Sequence, residues 1–184
     1  MSPVRIASRI RPNAKYRTRA LVSTATLAIA VAFLHPVPAK AQVVVPDTPA
    51  FQGDFASVDA SRLITGTVGA GSETITVHTQ KATIDWTNAE SIFLPKDYVA
   101  TFESDGEAAG GYTVLNRVMA SDPNNPIHLN GTVVSFLGAA AAANKGGNIW
   151  FYSPSGIIVG ADAVFDVGGL LLTSISPTFG TSGN

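Results

Sequence analysis

His78 and His128 are the only histidines after residue 41, and their spacing makes neither a metal pair nor an acid–base pair. Catalysis needs positioned acids, bases, nucleophiles or metals. By the alternation of its strand His78 faces outward, and His128 stands beside a turn. No serine occupies a Gly-x-Ser-x-Gly elbow. A polysaccharide hydrolase would gather carboxylates on one face, yet Asp85, Asp162 and Asp166 fall in different elements. The chain has no cysteine, which removes thiol chemistry, a lipidated cysteine and a disulfide scaffold. These residues predict no enzyme, no metal and no cofactor. Function then rests on surfaces. The turn Ser153-Pro154-Ser155-Gly156 suits a plain structural corner.

The elements around that turn are short. Gly146 to Tyr152 leads through Asn148-Ile149-Trp150-Phe151-Tyr152, an apolar β-type run, into the turn. Ile157-Ile158-Val159 is a second strand, Gly160-Ala161-Asp162 a corner and Val164-Phe165-Asp166-Val167 a third strand. Gly168-Gly169 then turns into Leu170-Leu171-Leu172. Strands of three to five residues joined by Gly corners, with no helix-length segment, are the rhythm of a parallel β-helix. Asn130, Gly131, Gly160, Gly168 and Gly169 are the expected structural corners, with Gly156, Gly160 and Gly168 adopting positive φ. Ile149 and Phe151 are expected inward, Trp150 and Tyr152 outward.

Upstream, Ser72 to Gln80 alternates with period two, placing Ile75 and Val77 on one face and Thr74, Thr76 and His78 on the other. Lys81 to Trp86 repeats the pattern with Ala82, Ile84 and Trp86 inward. Val43-Val44-Val45, Ile92-Phe93-Leu94, Tyr98 to Phe102, Tyr112 to Val118 and Thr132 to Leu137 read as further strands. Thr65–Gly71 reads as a loop or hairpin. Glu103 to Gly111 reads as an acidic, Gly-rich surface loop, and Ser121 to Pro126 as a turn cluster. The alanine run from Gly138 to Asn144 is too short for a stable helix and is expected as a loop or single helical turn.

The start of the chain sets a compartment. Arg5, Arg9, Arg11, Lys15, Arg17 and Arg19 precede an apolar run from Ala20 to Leu34, then His35-Pro36-Val37-Pro38 and Ala39-Lys40-Ala41. A positive n-region, short h-region and small residues at the cleavage positions describe a secretory signal peptide over residues 1–41. The run is shorter than the roughly 20 apolar residues of a spanning helix. Residues 42–184 keep five basic residues, Arg62, Lys81, Lys96, Arg117 and Lys145, against all 13 acids, a net of -8. An acidic surface with scattered cations argues against nucleic-acid binding.

Several of these segments together carry a resemblance. Ile84-Asp85-Trp86, Leu115-Asn116-Arg117-Val118, Asn130-Gly131, Ser153-Pro154-Ser155-Gly156 and Asp166-Val167-Gly168-Gly169-Leu170 occur in the order found in filamentous-hemagglutinin-type secretion domains. These are the N-terminal domains of two-partner secretion exoproteins. Both asparagines of the family's Asn-Pro-Asn-Gly turn are serine here, and no upstream Asn-Pro-Asn-Leu element is present. The resemblance implies an all-β, right-handed parallel β-helix with N-terminal capping strands or hairpins over residues 42–184. It implies an adhesin-type protein, secreted or held at the surface of a Gram-negative bacterium. Its partner would be an outer-membrane β-barrel transporter whose periplasmic repeats recognise the domain, with Ser153, Pro154, Ser155 and Gly156 as the recognition turn. The family continues with further coils, so the resemblance implies either a frame extending past Asn184 or a truncated relic. The alternative reading is a stand-alone carbohydrate-binding β-domain that meets bacterial or host surface glycans through outward aromatics such as Trp86 or Tyr98.

Overall fold

A computed structural model describes residues 47–67, 69–140 and 144–179. The leader through Ala41, the strand expected at Val43–Val45 and Ala141–Ala143 of the alanine run lie outside the described residues. The protein is all-β. Its strands are β1 (Asp54–Ala56), β2 (Ala60–Ile64), β3 (Ser72–Val77), β4 (Lys81–Ala89), β5 (Val99–Ser104) and β6 (Thr113–Ala120), then β7 (Ile127–Leu129), β8 (Thr132–Ser135), β9 (Asn148–Tyr152), β10 (Ile157–Val159), β11 (Val164–Asp166) and β12 (Gly169–Thr173).

They form three sheets, in the orders β1-β4-β6-β9-β12, β2-β3-β5-β8-β11 and β10-β7. Every pairing is parallel except β1 with β4 and β2 with β3. No barrel closes. The chain visits the sheets in a fixed order, so β3 and β4, then β5, β6 and β7, then β8, β9 and β10, then β11 and β12 are successive passes. Leu94 serves the first pass on the third face through a parallel bridge to Leu129. Pairing in register stacks equivalent residues into columns. Ala82, Val114, Ile149 and Leu170 form one; Ile84, Asn116, Phe151 and Leu172 form the next.

Period two explains which face is buried. In β3 the inward residues are Glu73, Ile75 and Val77, and in β4 Ala82, Ile84 and Trp86, all fully buried. Ile149 and Phe151 are buried, and Trp150 and Tyr152 point away from the core. An aromatic cluster fills the interior. The Phe51 ring lies 5.1 Å from Trp86, 4.9 Å from Phe93, 6.2 Å from Phe102 and 5.8 Å from Phe151. Offset and edge-on arrangements at such distances exceed what area burial alone supplies. Asn116 stands among these apolar columns because it is satisfied: Trp86 Nε1 donates to its Oδ1 at 3.1 Å, and its Nδ2 donates to the Trp150 carbonyl at 3.2 Å.

The segment Thr48–Ile64 closes the beginning of the stack. β1 pairs with β4 and β2 with β3, while Gln52 N donates to Phe93 O and Gln52 O accepts from Glu90 N. Past β1, side chains replace a strand: Ser57 Oγ donates to Thr83 O at 2.7 Å, and Asp59 Oδ2 accepts from Thr83 N at 3.5 Å. Arg62 of β2 faces inward, and its Nε and Nη2 donate to Glu73 Oε2 at 3.0 and 2.7 Å. Ala50 N donates to the same oxygen at 3.0 Å and Arg62 Nη2 to Phe51 O at 2.8 Å, so one ion pair fastens both ends of the cap.

Two expectations need correction. The surface loop expected over Glu103–Gly111 is instead the end of β5 followed by a 3-10 turn at Gly106–Gly110. Glu103 is held in the sheet by Thr76 Oγ1, which donates to its Oε1 at 3.2 Å, and Ala108 is buried. The strand expected at Ile92–Leu94 reduces to the single bridge at Leu94. The base of the alanine run is closed as a hairpin, with Phe136 bridging Lys145 antiparallel and Leu137 N donating to Asn144 O at 2.7 Å.

Candidate functional site

The turn after β9 is closed by backbone. Gly156 N donates to Ser153 O at 3.0 Å, and Ser153 N donates to Thr173 O of the following pass at 3.1 Å. Gly156 has φ +94°, a left-handed conformation that a side chain disfavours, and its carbonyl accepts from Ile127 N at 3.1 Å. Ser153 is fully buried, and among the described residues its hydroxyl has no hydrogen-bond partner. A hydroxyl-closed turn of the Asn type is therefore not what holds this corner. Pro154 is exposed, with Ser155 and Gly156 half-buried beside it. The outer surface of the turn is a proline ridge, and Ser153 belongs to the packing beneath it.

The remaining corner residues stack between passes. Asn130 N donates to Leu94 O at 2.8 Å, Gly160 N donates to Leu129 O at 2.8 Å, and Asn130 Oδ1 accepts from Asp162 N at 3.1 Å. A Cβ at Gly160 would collide with the Asn130 side chain, and one at Gly131 with the Pro95 carbonyl. Gly168 N donates to Gly147 O at 2.9 Å, and a Cβ there would lie 2.8 Å from that oxygen. A Cβ on Gly169 would meet Asn148 Oδ1. Positive φ was the expected reason for glycine at positions 156, 160 and 168. Of the three, Gly156 alone has it; Gly160 and Gly168 are glycine because the neighbouring pass comes too close for a side chain.

The carboxylates considered for catalysis are separated and each is engaged. Asp85 receives Arg117 Nε at 2.5 Å and Nη2 at 2.6 Å, a two-pronged pair that pushes the Arg117 guanidinium above its ordinary value. Asp162 receives Lys96 Nζ at 3.2 Å, and Asp166 receives Lys145 Nζ. His78 Nδ1 lies 2.7 Å from Asp105 Oδ1 at the surface. Among the described residues no three metal-binding side chains converge. An open groove of about 560 Å³ runs beside β1, walled by Phe55, Val58, Asp59, Asp85 and Arg117. Neither histidine lines it, and its walls offer two carboxylates already bonded to Arg117 or to the Thr83 amide.

The two aromatics expected outward for holding glycans, Trp86 and Tyr98, differ in exposure. Trp86 is fully buried, with Phe51, Phe55 and Phe93 rings within 5.4 Å, because it lies on the inward parity of β4. Tyr98 is half-buried, its ring covering the space beside Gly71. Trp150 does face out, and the Phe179 ring stacks on it at 5.5 Å. Residues not singled out in the sequence carry much of the architecture: Phe51, Ser57, Asp59, Arg62 and Glu73. The available signal for the last pair was their opposite charge across a short Gly-punctuated hairpin. No protein-family model and no curated protein matches the chain.

Proposed function

We propose that residues 42–184 form a two-partner-secretion domain, a right-handed parallel β-helix that leads an adhesin-type protein through an outer-membrane transporter and nucleates its folding outside. The reading assigns it no reaction and no cofactor. The observation that carries it is the asymmetry of the stack: three faces covered at the beginning by Thr48–Ile64, and parallel strands added pass after pass toward β12. A seed for directional growth needs that polarity, because each completed pass offers the edge on which the next pairs. A protein that emerges from a pore with its cap first could fold as it arrives. The motif positions support the same reading, since Asn130–Gly131 joins β7 to β8, Ser153–Gly156 joins β9 to β10 and Gly168–Gly169 leads from β11 into β12, each at a corner of the stack.

Recognition before transport fits strand addition to the transporter's periplasmic repeats, where backbone hydrogen bonds give affinity. In this reading Pro154 is the exposed member of the turn that the repeats meet. The test is secretion from a Gram-negative host carrying the chain with or without a two-partner transporter. Release into the medium only with the transporter is expected. Equal release from cells lacking every such transporter would overturn the reading.

A further inference from the structure

The side of the stack formed by β4, β6 and β9 carries rings and polar groups that neither the core nor the corners use. Register places Thr83, Leu115 and Trp150 in one outward column and Asp85, Arg117 and Tyr152 in the next. Leu115 is only 4% exposed although its parity is outward, so it makes a packed apolar floor beside Trp150. The Trp150 indole faces out and receives a flat partner, the Phe179 ring, 25° from parallel at 5.5 Å. In the adjoining column Asp85 and Arg117 form their two-pronged pair, with side chains 42% and 44% exposed. That pairing leaves acceptor lone pairs on both Asp85 oxygens and the Nη1 donors of Arg117. The open groove of about 560 Å³ beside β1 ends at the same two residues.

We propose that this face binds a neutral oligosaccharide, one sugar ring stacked on Trp150 and the hydroxyls of the next rings held by Tyr152, Arg117 and Asp85 toward the groove. The proposal stands on side-chain geometry and is independent of the secretion reading. Ligand sites combine apolar rings with a few placed polar groups, and an indole offers a broad flat face at little entropic cost. A carboxylate beside a guanidinium accepts and donates at once, which suits neighbouring hydroxyls, each both donor and acceptor. The pair cancels in charge and Asp59 adds a negative charge at the groove wall, so anionic sugars are disfavoured. An added peptide strand has no place here. β4, β6 and β9 are each flanked by strands on both sides, and past β1 the edge of β4 is covered by Ser57 and Asp59. From the Ser57 segment across β4 and β6 to β9 is three strand spacings, roughly 14 Å, a span for several sugars rather than one. The face lies on the side of the stack, so a further pass pairing beyond β12 does not occupy it. Phe179 lies where the first sugar would stack, so ligand and ring compete for the indole.

Titration of the full chain with neutral tetrasaccharides of glucose, galactose and mannose, followed by calorimetry and tryptophan fluorescence, decides the matter. The chain has two tryptophans and Trp86 is fully buried, so a ligand-induced change in emission reports on Trp150. Saturable binding of at least one probe at millimolar concentration or below is expected. Trp150→Ala, which removes the platform, and Arg117→Lys, which keeps the charge but loses the fork, should each weaken it at least about tenfold. Phe179→Ala, which frees the indole, should tighten it severalfold, and Leu63→Asp, exposed on another sheet, should leave it unchanged. Absence of binding by every neutral probe would overturn the proposal. So would tighter binding of a uronic-acid tetrasaccharide, or binding that survives both Trp150→Ala and Arg117→Lys. Should Trp150→Ala unfold, Phe179→Ala and Tyr152→Phe, which removes a single hydroxyl, take its place, and an affinity unmoved by either would overturn the proposal equally.

Discussion

Glycine at position 160 is held there by Asn130, whose side chain occupies the space a Cβ would need. Gly160→Ala is therefore expected to cost about 1–3 kcal/mol in a urea titration, the range for forcing extra volume into a packed site; Asn130→Ala, which vacates the space, should recover part of that loss in the double variant. Ser153 predicts the opposite sign. Its hydroxyl is buried without a partner among the described residues, and a buried unpaired polar group costs about 1–3 kcal/mol. Ser153→Ala should leave stability unchanged or raise it, and a marked loss would mean that the hydroxyl closes the turn. Glu73 gives a pH signature. Burial pushes its carboxyl above the ordinary value of 4.5, against the pull of the Arg62 guanidinium. The folded state thus holds this proton more tightly than the unfolded chain does. Its contribution favours folding below that ordinary value and declines as pH rises from there through the folded value. The stability difference between the unaltered protein and Glu73→Gln, which cannot titrate, should fall with rising pH across that interval. A difference that rises with pH would refute the assignment.

The cap Thr48–Ile64 is the element on which the rest leans, and Phe51 is its anchor. Phe51→Ala removes the ring that touches Trp86, Phe93, Phe102 and Phe151 at once. A loss of about 3–5 kcal/mol is expected, the range for deleting a buried aromatic ring, measured by urea unfolding followed by tryptophan fluorescence. A loss below about 1 kcal/mol would show that the core closes without the cap. This element is also where the sequence was least legible. β3 and β4 announce themselves by period two, since Ile75, Val77, Ala82, Ile84 and Trp86 alternate with polar residues and are all buried. β2 inverts the pattern: Arg62 turns inward to Glu73 while Leu63 is 63% exposed. Hydropathy reads that strand backwards, because a charge pair formed across eleven residues is invisible to a local rule. β1 is three residues long, and its extension by Ser57 and Asp59 consists of side chains, which no strand pattern encodes. The corners were legible as positions, because glycine marks them, but the cause at Gly160 and Gly168 lies in the neighbouring pass. Trp86 shows the same limit, for aromatic content alone suggested a binding platform while parity placed the ring in the core.

At the scale of the molecule, stacked passes make stability a property of neighbours. Each inner pass is paired on two sides and the last on one, so in a near one-dimensional array local opening should be easiest at the end that lacks a neighbour. The first pass is an exception for a stack end, because β1, β2 and Gln52 supply its missing partner. Amide exchange should therefore be graded along the chain. Amides of β4, β5 and β6, each between two paired strands, should exchange slowest and approach the global unfolding free energy. Those donated across to β8 and β9 should follow, and those of β11 and β12 should exchange fastest at high dilution. A sample in which β12 is as protected as β4 would refute the graded stack. Under the proposed export reading this polarity has a consequence: a chain that emerges cap first would gain stability as its early passes form, and each later pass would pair on an edge that is already ordered.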